Sequence, residues 1–184
     1  MKKTVDQWLR GESMSMVNVT LPDGTVNEYA EGITAGEVVI DALGKKHGCL
    51  AARINGVERD FSASLHSDCS VEGILASSDE GIHILRHSAA HLLAQAVMEI
   101  YPDAKPTIGP AIDRGFYYDF AMEPIAASDL KAIEKKMHEL ARRNIQVERV
   151  ELEEEELRDH FKSNKYKIEI IDDKLEDGDG STIY

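Results

Sequence analysis

Val17, Val19 and Leu21 alternate with Asn18 and Thr20, which is the period of a half-buried strand. Pro22-Asp23-Gly24 supplies a turn and residues 25–29 continue as a partner strand, so this stretch predicts a hairpin. Thr34 and Glu37 stand at capping-box spacing ahead of an apolar face of Val38, Val39, Ala42 and Leu43, and Gly44 closes the short helix. A second hairpin follows, running through residues 51–54, turning at Asn55-Gly56 and returning through 57–61. Leu65 and residues 71–75 form one more short apolar segment, read as the last strand. The order ββαββ with a final strand predicts a small mixed sheet with a helix across one face.

Ser77-Ser78-Asp79-Glu80 breaks this pattern and caps a long apolar-periodic helix over residues 81–100, stopped by Pro102. The domain boundary is placed here: residues 1–16 are an extension with no functional reading, 17–77 a first domain and 78–184 a second. In the second, Ile108-Gly109-Pro110 reads as a turn and residues 115–120 as an aromatic-rich strand. Ser128 caps a further helix in which Leu130, Ile133, Met137 and Leu140 fall at helical spacing, with Asn144 near its end. A strand over 145–150, an acidic helix over 153–161, a strand over 166–171 and a polar, Gly-rich tail from 174 complete the reading. The fold class is α+β in both parts, with no internal repeat.

A chain of 184 residues with 42% hydrophobic positions has room for two small cores. The net charge of −13 argues against holding nucleic acid on a general basic surface, so any RNA contact must be local. The acidic runs, Glu151 and Glu153 to Glu156, then Asp172, Asp173, Glu176, Asp177 and Asp179, read as solvated faces rather than metal sites. No apolar run suggests a membrane span and the start lacks the apolar core of a signal peptide, which makes the cytosol the expected compartment. Cys49 and Cys69 have no CxxC spacing and are expected to be reduced.

The chemistry-bearing positions lie in the second domain. His87 and His91 stand four apart on the long helix, so both imidazoles project from one face. That geometry suits a shared site, and it equally suits two rings packed at the edge of a core; His83 extends the stripe and favours a plain polar face. The segment lacks the Glu of HExxH, and no third ligand accompanies the pair, so no metal is assigned. Gly109 allows a ligand to approach the backbone closely, and Tyr118 offers an aromatic wall that could stack on a base or ribose or belong to the core. Lys167, at the start of the expected strand and flanked by apolar residues, points either into a cleft or into water, and its spacing alone favours water.

From about Val17 onward these segments resemble the N-terminal region of threonyl-tRNA synthetases. The most specific stretch is LRHSAAHLLAQAVMEIYPDAKPTIGPAIDRGFYYDF, similar to the family's IRHSxAHLL, IGP and GFYYD elements. The earlier segment, VTLPDG through the Asn55-Gly56 hairpin, looks like a TGS domain, a β-grasp module. The resemblance implies a small β-grasp domain followed by an α+β editing domain that hydrolyses mischarged seryl-tRNA. It implies that His87, His91 and Lys167 lie in the hydrolytic pocket, lined by Tyr118 and Gly109.

The family completes that site with a Cys and a His in a CRGPH-like segment, which this sequence does not contain. The ATP, magnesium and zinc sites of the synthetase body also lie outside it, so the resemblance implies no cofactor for this chain. Its implied partner is tRNA(Thr), above all in the mischarged seryl form, and the full enzyme is implied to dimerise through the catalytic domain. Such a domain has a physical purpose: a missing methyl is worth roughly 1–3 kcal/mol of discrimination, too little to reject serine in one binding step. The competing readings are a non-catalytic, TGS-containing RNA-binding or regulatory module, and a free-standing zinc-dependent aminoacyl-tRNA deacylase. The latter would be expected to carry its own downstream CxxxH, which is absent from this sequence.

Overall fold

The computed structural model describes residues 15–143, 145, 150–176 and 182–183. Contacts divide the chain into two compact units, Met1–Ile84 and Leu85–Tyr184. The sequence reading puts its boundary at 77/78, where a long helix begins; the compact units part a little later, within that helix. Its first turn is held by the first unit, where Arg53 reaches Glu80 at 3.4 Å and the Gly81 backbone lies against the Leu75 carbonyl.

In the first unit β1 (Met16–Thr20) and β2 (Val26–Ala30) form the first hairpin, with Val17 opposite Tyr29. Helix α1 (Ala35–Leu43) starts at the expected capping box: the Glu37 amide donates to Thr34 Oγ1 at 3.2 Å and the Thr34 amide to Glu37 Oε2 at 3.0 Å. The second hairpin is β3 (Cys49–Ile54) and β4 (Val57–Arg59), and its turn places Asn55 at φ 50° and Gly56 at φ 83°. That left-handed pair is what an Asn-Gly turn provides at little cost. Strand β5 (Cys69–Leu75) then enters the middle of the sheet, parallel to β1 and antiparallel to β3, giving the order β2-β1-β5-β3-β4. Val17, Val19, Val38, Val39, Ala52, Leu65 and Val71 bury the face covered by α1. At about 1.5–3 kcal/mol for each large aliphatic side chain, that cluster is the main stabilising term of the unit.

Helix α2 (Asp79–Ile100) is capped by Ser78, whose Oγ accepts from the Gly81 amide at 3.0 Å. In the second unit its later turns pack Ala96 and Val97 against Ile133 and Leu140 of helix α3 (Leu130–Arg142), with Met137 and Phe120 at the margin. Asp129, not Ser128, occupies the N-cap of α3; its carboxylate is turned back to accept from the Ala126 amide at 2.9 Å. The expected Asn144 end of this helix and most of the expected strand over 145–150 lie outside the described residues. What is described there is β10 (Val150–Glu151), paired with β11 (Thr182–Ile183).

Two sequence expectations are corrected in this unit. The aromatic segment is not one strand: β6 (Lys105–Pro106) pairs with β9 (Phe120–Ala121), and β7 (Ala111–Ile112) with β8 (Gly115–Phe116). Between the two ribbons residues 107–110 face 117–119, one residue more on the first arm, and Pro110 offers no N–H to continue the ladder. The segment expected as a strand over 166–171 is helix α5 (Lys165–Glu176), which follows the acidic helix α4 (Glu154–Phe161). Tyr166, Ile168 and Ile170 imitate a period of two, but the two buried residues, Asn164 and Ile171, stand seven apart, two turns of helix, with Lys167 and Ile168 half-buried between them on the same stripe and Tyr166 and Ile170 half-buried at its margins. Of the acidic runs, Glu153 to Glu156, Asp172 and Asp173 are exposed as expected, with Arg158 bridging Glu154 at 2.8 Å and Asp172 at 2.5 Å, whereas the side chains of Glu151 and Glu176, and Asp177 and Asp179, lie outside what is described.

Candidate functional site

All five sequence-predicted site residues fall in the second unit. His87 and His91 lie one helical turn apart on α2, and their Nε2 atoms meet at 3.0 Å with the rings edge to face, centroids 4.6 Å apart and planes at 77°. At that distance one nitrogen donates and the other accepts, so the pair shares a proton and both rings cannot take a further one without repulsion. His91 keeps access to solvent while protein atoms crowd its ring. That crowding, then the neighbouring His87, then the Lys167 ammonium, lower its pKa below the ordinary imidazole value. A neutral imidazole at physiological pH is a base able to take a proton.

Lys167 is half-buried on α5 rather than pointing into water from a strand. Burial lowers its pKa, and it is close enough to His91 to act on that ring. Its backbone position is fixed by Asn164, which sequence reasoning missed. The Lys167 amide donates to the Asn164 carbonyl at 3.0 Å and toward Asn164 Oδ1 at 3.4 Å, while Asn164 Nδ2 donates to the Pro106 carbonyl at 2.8 Å. Beside it, Lys105 Nζ donates to the Ser163 carbonyl at 2.6 Å. The start of α5 is thereby tied to the ribbon that leads to Gly109. The signal available in the sequence was an Asn directly ahead of a helical stripe, an N-cap signature that the apparent alternation concealed.

Gly109 and Tyr118 are brought together at the point where the ribbon is interrupted. The Thr107 amide donates to the Asp119 carbonyl and the Asp119 amide to the Ile108 carbonyl, both at 2.9 Å, and the next residue, Gly109, lies directly under the Tyr118 ring. A Cβ at 109 would stand only 2.7 Å from Tyr118 Cγ and closer still to Cδ2 and Cε2. Gly109 is absent from the positive-φ glycines, so it is steric closeness and not backbone conformation that demands glycine here. The Tyr118 ring also stacks on Phe120, centroids 4.9 Å apart, and burial raises its phenol pKa. The result is a fixed aromatic wall with a neutral hydroxyl.

Chemically, the unit offers a proton-accepting imidazole pair, a partly desolvated ammonium beside it, and a rigid aromatic surface. Among the described residues no group of three or more His, Cys, Asp or Glu is arranged to hold a metal ion. Among them, too, no helix is long and apolar enough to cross a membrane.

No protein-family model matches the chain. It is 45% identical over 175 residues to a threonine–tRNA ligase of Hyphomonas neptunium, an alignment that covers 92% of this chain and 26% of that protein. It is 41% identical over 173 residues to threonine–tRNA ligase 1 of Bacillus subtilis, covering 92% of this chain and 27% of the relative. With a threonine–tRNA ligase of Rickettsia bellii the identity is 42% over 160 residues, 85% of this chain and 25% of the relative. The chain thus spans about a quarter of the length of the curated relatives it matches. With such identity sustained along nearly all of its own length, the chain belongs with the threonyl-tRNA synthetases.

Proposed function

We propose that this chain is the N-terminal region of a threonyl-tRNA synthetase, in which a TGS-type β-grasp unit precedes an editing unit that hydrolyses seryl-tRNA(Thr). The observation that carries the reading is the His87–His91 pair, Nε2 to Nε2 at 3.0 Å, with Lys167 acting on His91. Its setting on α2 within a chain related to threonine–tRNA ligases supports it further.

Hydrolysis of the aminoacyl ester adds water across the acyl–oxygen bond. An oxygen of water attacks the carbonyl carbon while the histidine pair takes its proton, and the charge gathers on the carbonyl oxygen, where an ammonium such as that of Lys167 stabilises it. Collapse breaks the bond to the ribose oxygen, which leaves with the proton held by the pair; serine and the free tRNA end are the products. Tyr118 over Gly109 supplies a wall that does not yield, as exclusion of threonine's extra methyl requires. ATP, magnesium and zinc belong to ligation by the rest of the synthetase, and no hydrolytic step proposed here runs through them. In the cytoplasm the partner is tRNA(Thr), and the full enzyme is a dimer through its catalytic domain.

An acidic chain must grip RNA locally. A depression on the outer face of α3 lined by Lys131, Lys135, His138 and Arg142, with Glu134 among them, supplies such a cationic stripe. The test is deacylation of seryl-tRNA(Thr) and threonyl-tRNA(Thr) by this sequence extended through the family's CRGPH-like segment. Seryl-tRNA should be hydrolysed and threonyl-tRNA spared, and His87→Ala with His91→Ala should slow the reaction by about 10²- to 10⁴-fold with the circular dichroism unchanged. Full activity in a folded double variant would refute the reading.

A further inference from the structure

Asn164 is the one buried polar residue among the described residues, at 8% exposure. Its amide nitrogen side reaches the Pro106 carbonyl, a contact between residues 58 apart in sequence, and its carbonyl side and backbone carbonyl both face the Lys167 amide. Lys167 in turn is half-buried in the first turn of α5, and burial lowers its pKa. A lysine has a flexible four-carbon stem, so the place of its ammonium depends on where its Cα stands and on the packing around the stem. That Cα is fixed by the first turn of α5, and the first turn is fixed by Asn164.

We propose that Asn164 is a positioning residue of the hydrolytic site: by tying the start of α5 to Pro106 and capping its first turn, it sets the Lys167 ammonium against His91. This rests on the editing function proposed above, where Lys167 supports the developing charge. Lys105, whose ammonium reaches the Ser163 carbonyl, is the second tether of the same turn. Asparagine suits the position because one side chain must donate to a carbonyl and accept from an amide at once.

The test is made on the 184-residue chain with ¹³C-labelled lysines and histidines, following Lys167 and His91 by NMR across pH; Lys167→Arg and His91→Gln identify the signals. In Asn164→Ala both titrations should move up toward those of unhindered side chains, because the ammonium leaves its half-buried position and stops acting on the imidazole. Asn164→Ser, which keeps a cap acceptor but cannot span to Pro106, should show the same displacement and serves should the alanine variant not fold. In the extended, hydrolytic form the same substitutions should lower kcat by about 10²-fold with little change in KM, the cost of a misplaced group. If a folded Asn164 variant lost thermal stability while Lys167 and His91 titrated as in the parent, Asn164 would be a structural cap only and the proposal would fall. The titrations need no hydrolysis, so an inactive parent would refute the editing function without deciding the role of Asn164.

Discussion

Replacing Gly109 by Ala tests whether the Tyr118 wall is as close as described. Alanine would place a Cβ 2.7 Å from Tyr118 Cγ, where ordinary contact begins near 3.4 Å, and the approach to Cδ2 and Cε2 is tighter still. The ring must therefore withdraw by about 1 Å or more, against its stack on Phe120. Overpacking of this kind costs about 1–3 kcal/mol. Since Gly109 has no positive φ, alanine brings no backbone strain, and stiffening the unfolded chain alone would stabilise by about 0.4–1 kcal/mol. The two backgrounds thus differ in sign. In the parent, Gly109→Ala should lower Tm by several degrees, each kcal/mol being worth about 4–8 °C in a unit of this size. In a Tyr118→Ala background the same substitution should be neutral or stabilising. Thermal and urea unfolding followed by far- and near-ultraviolet circular dichroism give the four corners of the cycle. A neutral Gly109→Ala in the parent, or an equal cost in both backgrounds, would sink the argument.

His91 should titrate below the ordinary imidazole pKa of about 6.5, and His87→Ala or Lys167→Met should each raise it, as NMR of the imidazole carbons will read. Because the fold favours neutral His91, the unfolded chain takes up the proton first. Its contribution to stability is complete above about pH 6.5 and is lost as pH falls from there through the lowered folded pKa; urea midpoints measured down that range should decline, and less so in His91→Gln. Gly56→Ala in the second hairpin forces a side chain to φ 83° and should cost about 1–2 kcal/mol in urea unfolding. Thr34→Ala removes the capping box of α1 and should cost about 0.5–2 kcal/mol, with Thr34→Ser close to the parent.

What the sequence determines by itself is what neighbouring residues decide among themselves. The capping box of Thr34 and Glu37, the Asn55-Gly56 turn and the projection of His87 and His91 from one face of α2 all depend on residues within a turn of one another, and each was legible. The segment 166–171 was not, because Tyr166, Ile168 and Ile170 alternate while Lys167, Ile168 and Ile171 also fit a helix. A short apolar run carries both periods, and which of them is realised depends on contacts outside the run, such as the bond from Asn164 to Pro106, 58 residues away. The aromatic segment is interrupted for the same kind of reason: the length of the facing arm, 107–110, and the missing N–H of Pro110 break its ladder, and propensity along 115–120 says nothing of either. The parallel entry of β5 beside β1 is likewise a long-range pairing. The histidines could be found from sequence because a helix places them; the state of His91 could not, because burial and a lysine from another helix set it. Local hydrogen bonding and periodicity are written along the chain, whereas burial, electrostatic neighbours and strand partners exist only once distant segments meet.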